Sequence, residues 1–480
     1  ATTVSPSANP SSYGSNLKLT ANVSSAGGAP NSGTVTFLDA GSPIGTGSVT
    51  AGVATFSTSS LSVGAHSISA RFEGVAGFLP STSATSVETI GKVATATALI
   101  ASVDRSTFAR PVTYTATVTA TVGTPVGSVT FYDGVNALAT IGLSSGTAML
   151  TTSALVTGAH SITAVYGGNG TFAASTSAIV VSLVNTARSD FSGEGRSDLV
   201  LQNSSTNTVA AWLMNGAAIA SAGNVATPAS SDWKVVATGD LEGDGKADLI
   251  LQNITTGVIA EWRMNGVVML SGANIATASP QQRVVGTYDF NHDGKSDIVL
   301  QNTATYMVAI WQMNGPVIAA AGNVAATAST VRAIATGNIG GDAIVLQNSA
   351  NGSVSRWLIN GFTLSSGTVI GTAATSTLLA TGDFNNDGVA DLVFQSPTSY
   401  SVAVWRLNSS AGIIGSAAIA TTLSTVSVKG TGDYDGDGRS EIVLQNNATN
   451  TISMWQTDGV TILSGTNVAT PAAGWKPVVN

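Results

Sequence analysis

The chain has 480 residues, which at about 150 residues per domain predicts roughly three domains. Only 9% of residues are charged, and 18 Lys and Arg are too few for a nucleic-acid footprint. A hydrophobic fraction of 43% excludes a disordered chain, 53 glycines point to an all-β chain with many turns, and the absence of Cys removes disulfides and thiolate metal sites.

The net charge of -8 is unevenly placed. Residues 1–185 hold five acids and five bases, whereas residues 186–480 hold 21 acids and 13 bases. No apolar run approaches the roughly 18–20 residues of a membrane span.

Self-comparison reveals the first period. Gly33-Thr-Val-Thr-Phe37-Leu-Asp39 recurs as Gly127-Ser-Val-Thr-Phe131-Tyr-Asp133, and Gly64-Ala-His66-Ser-Ile68 as Gly158-Ala-His160-Ser-Ile162. Both pairs are 94 residues apart. Alternation predicts strands at 17–23, 34–38, 53–57 and 66–72, and again at 112–118, 128–132, 147–151 and 160–166. Seven or so short strands per unit fit an antiparallel sandwich. Being repeat equivalents, His66 and His160 are expected to share a structural role. These motifs, with Tyr166-Gly-Gly-Asn169-Gly-Thr-Phe172 after them, resemble the bacterial Ig-like repeats of large surface and secreted proteins. The resemblance implies Ig-like β-sandwiches at 1–92 and 93–185.

The rest of the chain, 186–480, has another period. Trp212, Trp262, Trp311, Trp357, Trp405 and Trp455 are spaced by 50, 49, 46, 48 and 50 residues. Each sits in a variant of Val-Ala-x-Trp-x-Met-Asn-Gly, downstream of a variant of Asp-Leu/Ile-Val-Leu-Gln-Asn. In the second unit, strands are expected at 233–238, 248–252, 258–264 and 268–276. Four strands per unit, six times over, predict a six-bladed β-propeller. The terminal Trp475-Lys-Pro-Val-Val479 partly copies Trp233-Lys-Val-Val236. That strand is expected to pair into the first blade and close the ring. One Trp per blade is what a repeating core needs, and a ring of sugar-stacking platforms is the alternative.

Upstream of five of the six tryptophans lies an acidic loop with oxygen side chains at positions 1, 3, 5 and 9 and Gly at 6. The five sets are Asp190, Ser192, Glu194 and Asp198; Asp240, Glu242, Asp244 and Asp248; Asp289, Asn291, Asp293 and Asp297; Asp383, Asn385, Asp387 and Asp391; and Asp433, Asp435, Asp437 and Glu441. Position 7, at Arg196, Lys246, Lys295, Val389 and Arg439, offers its backbone carbonyl. Alternate residues of a tight loop aim at one centre, and hard oxygen donors in this number select Ca²⁺. An EF-hand would require Glu at position 12, where Leu201, Leu251, Leu300, Phe394 and Leu444 stand. The competing reading is that Asp, Asn and Gly only make good turns. Against it, 17 of the 26 acids lie in these five loops, and carboxylates so crowded repel unless a cation neutralises them.

The pattern resembles the FG-GAP-type, or VCBS-like, calcium-binding propeller repeats of integrin-like heads and bacterial secreted proteins. The resemblance implies one Ca²⁺ per intact loop, about five per chain. The fourth unit, Asn338-Ile-Gly340-Gly-Asp342, is four residues shorter, and no metal is expected there. His292, at position 4 of the third loop, is expected to face solvent.

No arrangement of nucleophile, base and acid and no phosphate loop converges anywhere, so no enzyme is expected. The expectation is an extracellular or bacterial cell-surface protein, with a Ca²⁺-stiffened head on an Ig-like stalk. It would recognise a glycan or a surface protein. Alternatives are a subunit that polymerises with copies of itself into a fibre, sheath or surface layer, and a non-catalytic appendage of a secreted enzyme.

Overall fold

Period-2 alternation becomes two-faced strands. In Leu17–Val23, Leu17, Leu19, Ala21 and Val23 are buried while Lys18 and Asn22 face water. A computed structural model describes the chain except for residues 104, 108, 109, 157, 186, 187, 479 and 480. Among the described residues every regular element is a strand, so the fold is all-β. The chain divides into two compact units. One comprises Ala1–Ser102, Thr113–Thr151 and Ser161–Val180, and the other Val103–Val112, Thr152–His160 and Val181–Asn480.

In the first unit, the opening repeat makes two sheets. Thr2–Pro6, Leu17–Val23 and Val53–Thr58 form one. Ser11–Ser12, Ser86–Gly91, Gly64–Phe72, Thr34–Asp39 and Ser42–Ser48 form the other in that order. Leu19, Phe37, Ile68 and Phe72 belong to the core they enclose. The second repeat reproduces the three-stranded sheet with Thr95–Ala101, Val112–Ala120 and Thr147–Thr152. The two histidines do share a structural role. His66 Nε2 meets the Ser62 carbonyl at 2.8 Å and His160 Nε2 the Val156 carbonyl at 2.7 Å, each four residues upstream.

The second unit holds six four-stranded antiparallel sheets. The second sheet runs Trp233–Gly239, Asp248–Asn253, Val258–Asn265 and Val268–Thr277, each within two residues of its predicted bounds. The third, fourth, fifth and sixth sheets begin at Gln282–Tyr288, Val331–Asn338, Thr377–Gly382 and Val426–Gly432. The first contributes only Leu199–Asn203, Val209–Asn215 and Ala218–Ala226 from its own repeat. Its fourth strand is the C-terminal Trp475–Val478, antiparallel to Leu199–Asn203, with Asn203 opposite Trp475 and Val200 opposite Val478. Val479, the expected end of that strand, lies outside the described residues.

Neighbour relations among the six sheets run in a cycle. Phe191 and Val209 of the first repeat share a core with Val235 and Met264 of the second. Equivalent cores join the second to the third, and so on to the sixth. A last core joins Tyr434 and Val443 of the sixth to Leu199 and Met214 of the first.

A polar device follows the same cycle. The Gln of each Leu-Gln-Asn segment (Phe-Gln in the fifth) is buried and crosses to the first strand of the next sheet. Nε2 of Gln202, Gln252, Gln301, Gln347, Gln395 and Gln445 donates to the carbonyls of Trp233, Gln282, Val331, Ser376, Val426 and Trp475. In five sheets Oε1 accepts the N–H two residues further on, from Val235, Val284, Ala333, Leu378 and Val428. The sixth finds Pro477 there, which has no N–H, and Gln445 Oε1 is buried without a partner.

The repeat tryptophans are half-buried at the margins of these cores. Opposite them on the next strand stand Ala222, Gly272, Ala321, Gly367, Ser416 and Gly465. A ring that lies across its neighbouring strand needs a small residue beneath it, which accounts for the glycines at three of these positions.

Candidate metal centres

Each intact acidic loop leads into its sheet's second strand. Position 6 is glycine with positive φ in all five, from +80° at Gly388 to +93° at Gly438, the left-handed region that favours Gly. The position-1 carboxylates of Asp190, Asp240, Asp289, Asp383 and Asp433 accept that glycine's N–H at 2.7–3.0 Å. The position-9 carboxylate accepts the N–H of position 2. Asp198 takes Phe191, Asp248 Leu241, Asp297 Phe290, Asp391 Phe384 and Glu441 Tyr434. In the first, second, third and fifth loops its other oxygen accepts from the third strand, at Met214, Met264, Met313 and Leu407. Thus positions 1 and 9 fold the loop before any ion is considered.

The loops also hold one another. The N–H of position 8 donates to the position-1 carbonyl of the preceding loop: Ala247 to Asp190, Ser296 to Asp240, Ala390 to Asn338, Ser440 to Asp383 and Ser197 to Asp433, at 2.6–2.7 Å. The series breaks between the third and fourth loops, where the deletion removes the donor. There His292 Nε2 meets Asp342 Oδ2 at 2.7 Å. His292 thus faces solvent with 38% of its side chain and also pairs with Asp342 of the next sheet.

In the second and sixth loops the structure gathers positions 1, 3 and 9 and leaves position 5 outside that group. Ligand oxygens of Asp240, Glu242 and Asp248 lie within 4.8 Å of one another, as do those of Asp433, Asp435 and Glu441. In the other three loops position 3 is neutral (Ser192, Asn291, Asn385), so only positions 1 and 9 bring buried or half-buried carboxylates. Position 5, at Glu194, Asp244, Asp293, Asp387 and Asp437, is exposed. Four of these carboxylates accept the position-7 N–H, from Lys246, Lys295, Val389 and Arg439. Arg196 instead grips Glu194 with its side chain at 2.6 Å. Arg110 Nη2 donates to Asp433 Oδ2 at 2.6 Å, a guanidinium already in the sixth loop.

Burial sets the electrostatics. It pushes Asp198 up to about 8, Asp297 and Asp391 to about 7, and Asp383 to about 6, against the N–H bonds that lower them. Burial raises Glu441 to about 8, with Asp435 and Asp433 adding repulsion. Asp248 rises to about 10, through burial and then Glu242 beside it. Of these, Asp198, Asp248 and Glu441 keep a proton at neutral pH unless a cation takes its place.

Within the acidic loops, two buried acceptors of the described residues have no donor, Glu242 Oε2 and Asn385 Oδ1, and both are at position 3. An oxygen-only donor set with unsatisfied acceptors is what a hard cation fits. In an occupied loop, the oxygens of positions 1, 3 and 9 would hold the ion, and its charge would replace protons on them.

The fourth loop meets the same need differently. Arg356, 7% exposed, sends Nη1 to the Ile339 carbonyl at 2.6 Å, inside the shortened loop. The residue one before the repeat tryptophan carries this charge, and in the second sheet the same position is Glu261, 2% exposed. Sequence reasoning assigned neither residue a role, nor the crossing glutamines. The available signal was a charged residue at a position that is Ala211, Ile310, Val404 and Met454 in the other sheets.

Comparison with known proteins agrees on the domain types. Residues 3–91 and 99–185 match the bacterial Ig-like domain (group 3), and residues 190–251, spanning the first two acidic loops, match the FG-GAP-like repeat. No curated protein matches the chain. Among solved structures, the fibronectin(III)-like modules of Clostridium thermocellum CbhA are 17% identical, covering 38% of this chain and 93% of that one at a TM-score of 0.18. A streptogramin B lyase structure is 12% identical, covering 56% and 78% at a TM-score of 0.37. Both likenesses are too loose to bear on function. No helix among the described residues is long and apolar enough to cross a membrane. The chain thus carries two tandem bacterial Ig-like domains followed by an FG-GAP-like repeat.

Proposed function

We propose that this is a non-enzymatic extracellular protein whose six sheets are the blades of a closed propeller stiffened by Ca²⁺, with the two Ig-like domains as a spacer. The observation that carries this reading is the recurrent loop in which buried carboxylates converge with no cationic side chain provided for most of them. Extracellular Ca²⁺ is abundant, so even weak sites fill, and binding to the folded chain alone adds stability by mass action.

The propeller serves recognition of a glycan or surface protein. A cleft of about 330 Å³, lined by Trp233, Trp262, Met269 and Leu251 with Asn274 as a polar contact, supports this reading. Indole faces beside an amide suit a sugar ring's apolar face and hydroxyls. A glycan array read with Ca²⁺ and with chelator tests it: Ca²⁺-dependent binding weakened by Trp233→Ala supports recognition, and an array silent in both conditions contradicts glycan binding.

A second reading, self-assembly into a fibre, sheath or surface layer, draws on the outer strands. The six, from Ala218–Ala226 to Ile462–Ala469, contain no charged residue. Val268, Val317, Val369 and Leu463 on them are each more than half exposed. Edge strands normally carry charge to block pairing with other chains. Electron microscopy of concentrated protein with Ca²⁺ decides it: ordered polymers support assembly, and monodisperse particles at every concentration remove it.

A further inference from the structure

The position preceding the repeat tryptophan faces an inter-sheet core in four sheets, as Ala211, Ile310, Val404 and Met454. In the fourth sheet the same register position, Arg356 opposite Val345, carries its guanidinium into the shortened loop. In the second sheet it is Glu261, opposite Ile250. A side chain long enough to leave this position therefore reaches the loop of its own sheet from the strand behind it.

Glu261 uses that reach in an acidic direction. It is 2% exposed, and its Oε1 has no hydrogen-bond donor. Glu242 lies against it and against Asp248, and Glu242 Oε2 is also buried without a donor. Arg263 contacts Glu242 at 3.8 Å and Asp244 at 3.0 Å, on the more exposed side, and supplies no donor to Glu261 Oε1. Acceptors facing acceptors in a buried site are stable only with a shared proton or with a cation between them.

We propose that the second loop holds a divalent hard cation on Asp240, Glu242 and Asp248 and that the ion draws in Glu261 of Val258–Asn265, which stands outside that 4.8 Å group, as a fourth carboxylate, making this the tightest cation site of the chain. The inference rests on the reading of the loops as cation sites. Affinity of such sites rises with the number of carboxylate ligands, and no other sheet has an acid at this position.

Calcium titration of the full chain by calorimetry, with terbium luminescence as a second probe, tests it. Wild type is expected to show one site at least about tenfold tighter than the rest. Glu261→Gln should abolish that class while leaving the number of ions unchanged. It should also raise the unfolding midpoint of cation-free protein, because the amide brings N–H donors to the facing acceptors, and shrink the rise produced by Ca²⁺. Glu261→Ala, which copies Ala211 of the first sheet, gives the same readout if the Gln variant fails to fold. An unchanged tight class and an unchanged Ca²⁺ shift in these variants would overturn the role of Glu261 alone, leaving it a proton-sharing core residue. Wild type that takes up no ion overturns the loop reading itself.

Discussion

The fourth acidic loop and the five intact ones occupy the same place in their sheets and handle charge in opposite ways. The fourth is four residues shorter, carries one carboxylate, Asp342, and is met by side chains, with His292 of the third loop on Asp342 and Arg356 on the Ile339 carbonyl. The intact loops hold two or three buried or half-buried carboxylates each at positions 1, 3 and 9, and among the described residues the cationic contacts to them are Arg110 on Asp433 and the longer one of Arg263 on Glu242. On the proposed reading, a repeat either neutralises its loop from within or borrows a cation from solution. The borrowed ion makes stability depend on the medium, and the built-in one does not.

The largest expected effect is that of cation removal. Chelation should lower the calorimetric transition of the six-sheet unit, by up to about 4 kcal/mol for each site filled at a thousandfold excess over its Kd. The transition of the Ig-like repeats should stay in place. Equal losses in both transitions would break the comparison.

Next come the loop anchors. Asp240→Ala removes the acceptor of the Gly243, Asp244 and Gly245 N–H groups and should cost about 3–5 kcal/mol in urea unfolding. Asn338→Ala in the fourth loop removes the acceptor of one N–H, that of Gly341, and a donor to Gly388. It should cost roughly 1–2 kcal/mol. Arg356→Met should cost about 2–3 kcal/mol while leaving the calcium count unchanged, since that loop is expected to take none.

A pH series sharpens the contrast further. Carboxylates of the unfolded chain ionise near pH ~4. In the cation-free fold, burial lifts Asp383 to about 6, Asp297 and Asp391 to about 7 and Asp198 to about 8. Between these limits the folded state binds more protons than the unfolded one, so stability falls as pH rises. Chelated, desalted protein should therefore lose thermal stability from pH 5 to 8. Saturating Ca²⁺ should flatten that slope, because the ion displaces the same protons. Smallest of all, Pro477→Val restores an N–H opposite the orphaned Gln445 Oε1 and should add about 1 kcal/mol to unfolding free energy.

Much of this was legible in the sequence for a definite reason. Repetition turns one ambiguous alternation into several concordant ones, so strands such as Val53–Thr58 and Asp248–Asn253 fell within a residue of expectation. The copy of Trp233-Lys at Trp475-Lys disclosed a strand whose partner lies almost 280 residues upstream. Reading by repeats also hides what is not repeated. Glu261 and Arg356 each occur once at a position otherwise apolar, and averaging over units dilutes them. The glutamines recur in every sheet, yet their partners belong to the next sheet, so no local pattern reveals the crossing. His292 faces solvent in part as expected, but its pairing with Asp342 was not legible because that residue stands in another repeat.

On the proposed reading, bound cations complete the intact loops and side chains complete the fourth. Calcium counted per chain by equilibrium dialysis and elemental analysis tests it most directly. The account predicts five ions per wild-type chain, four after Asp391→Ala in the fifth loop, and five after Arg356→Met. A wild-type count near zero, or a count of six lowered by changes in the fourth loop, would contradict it.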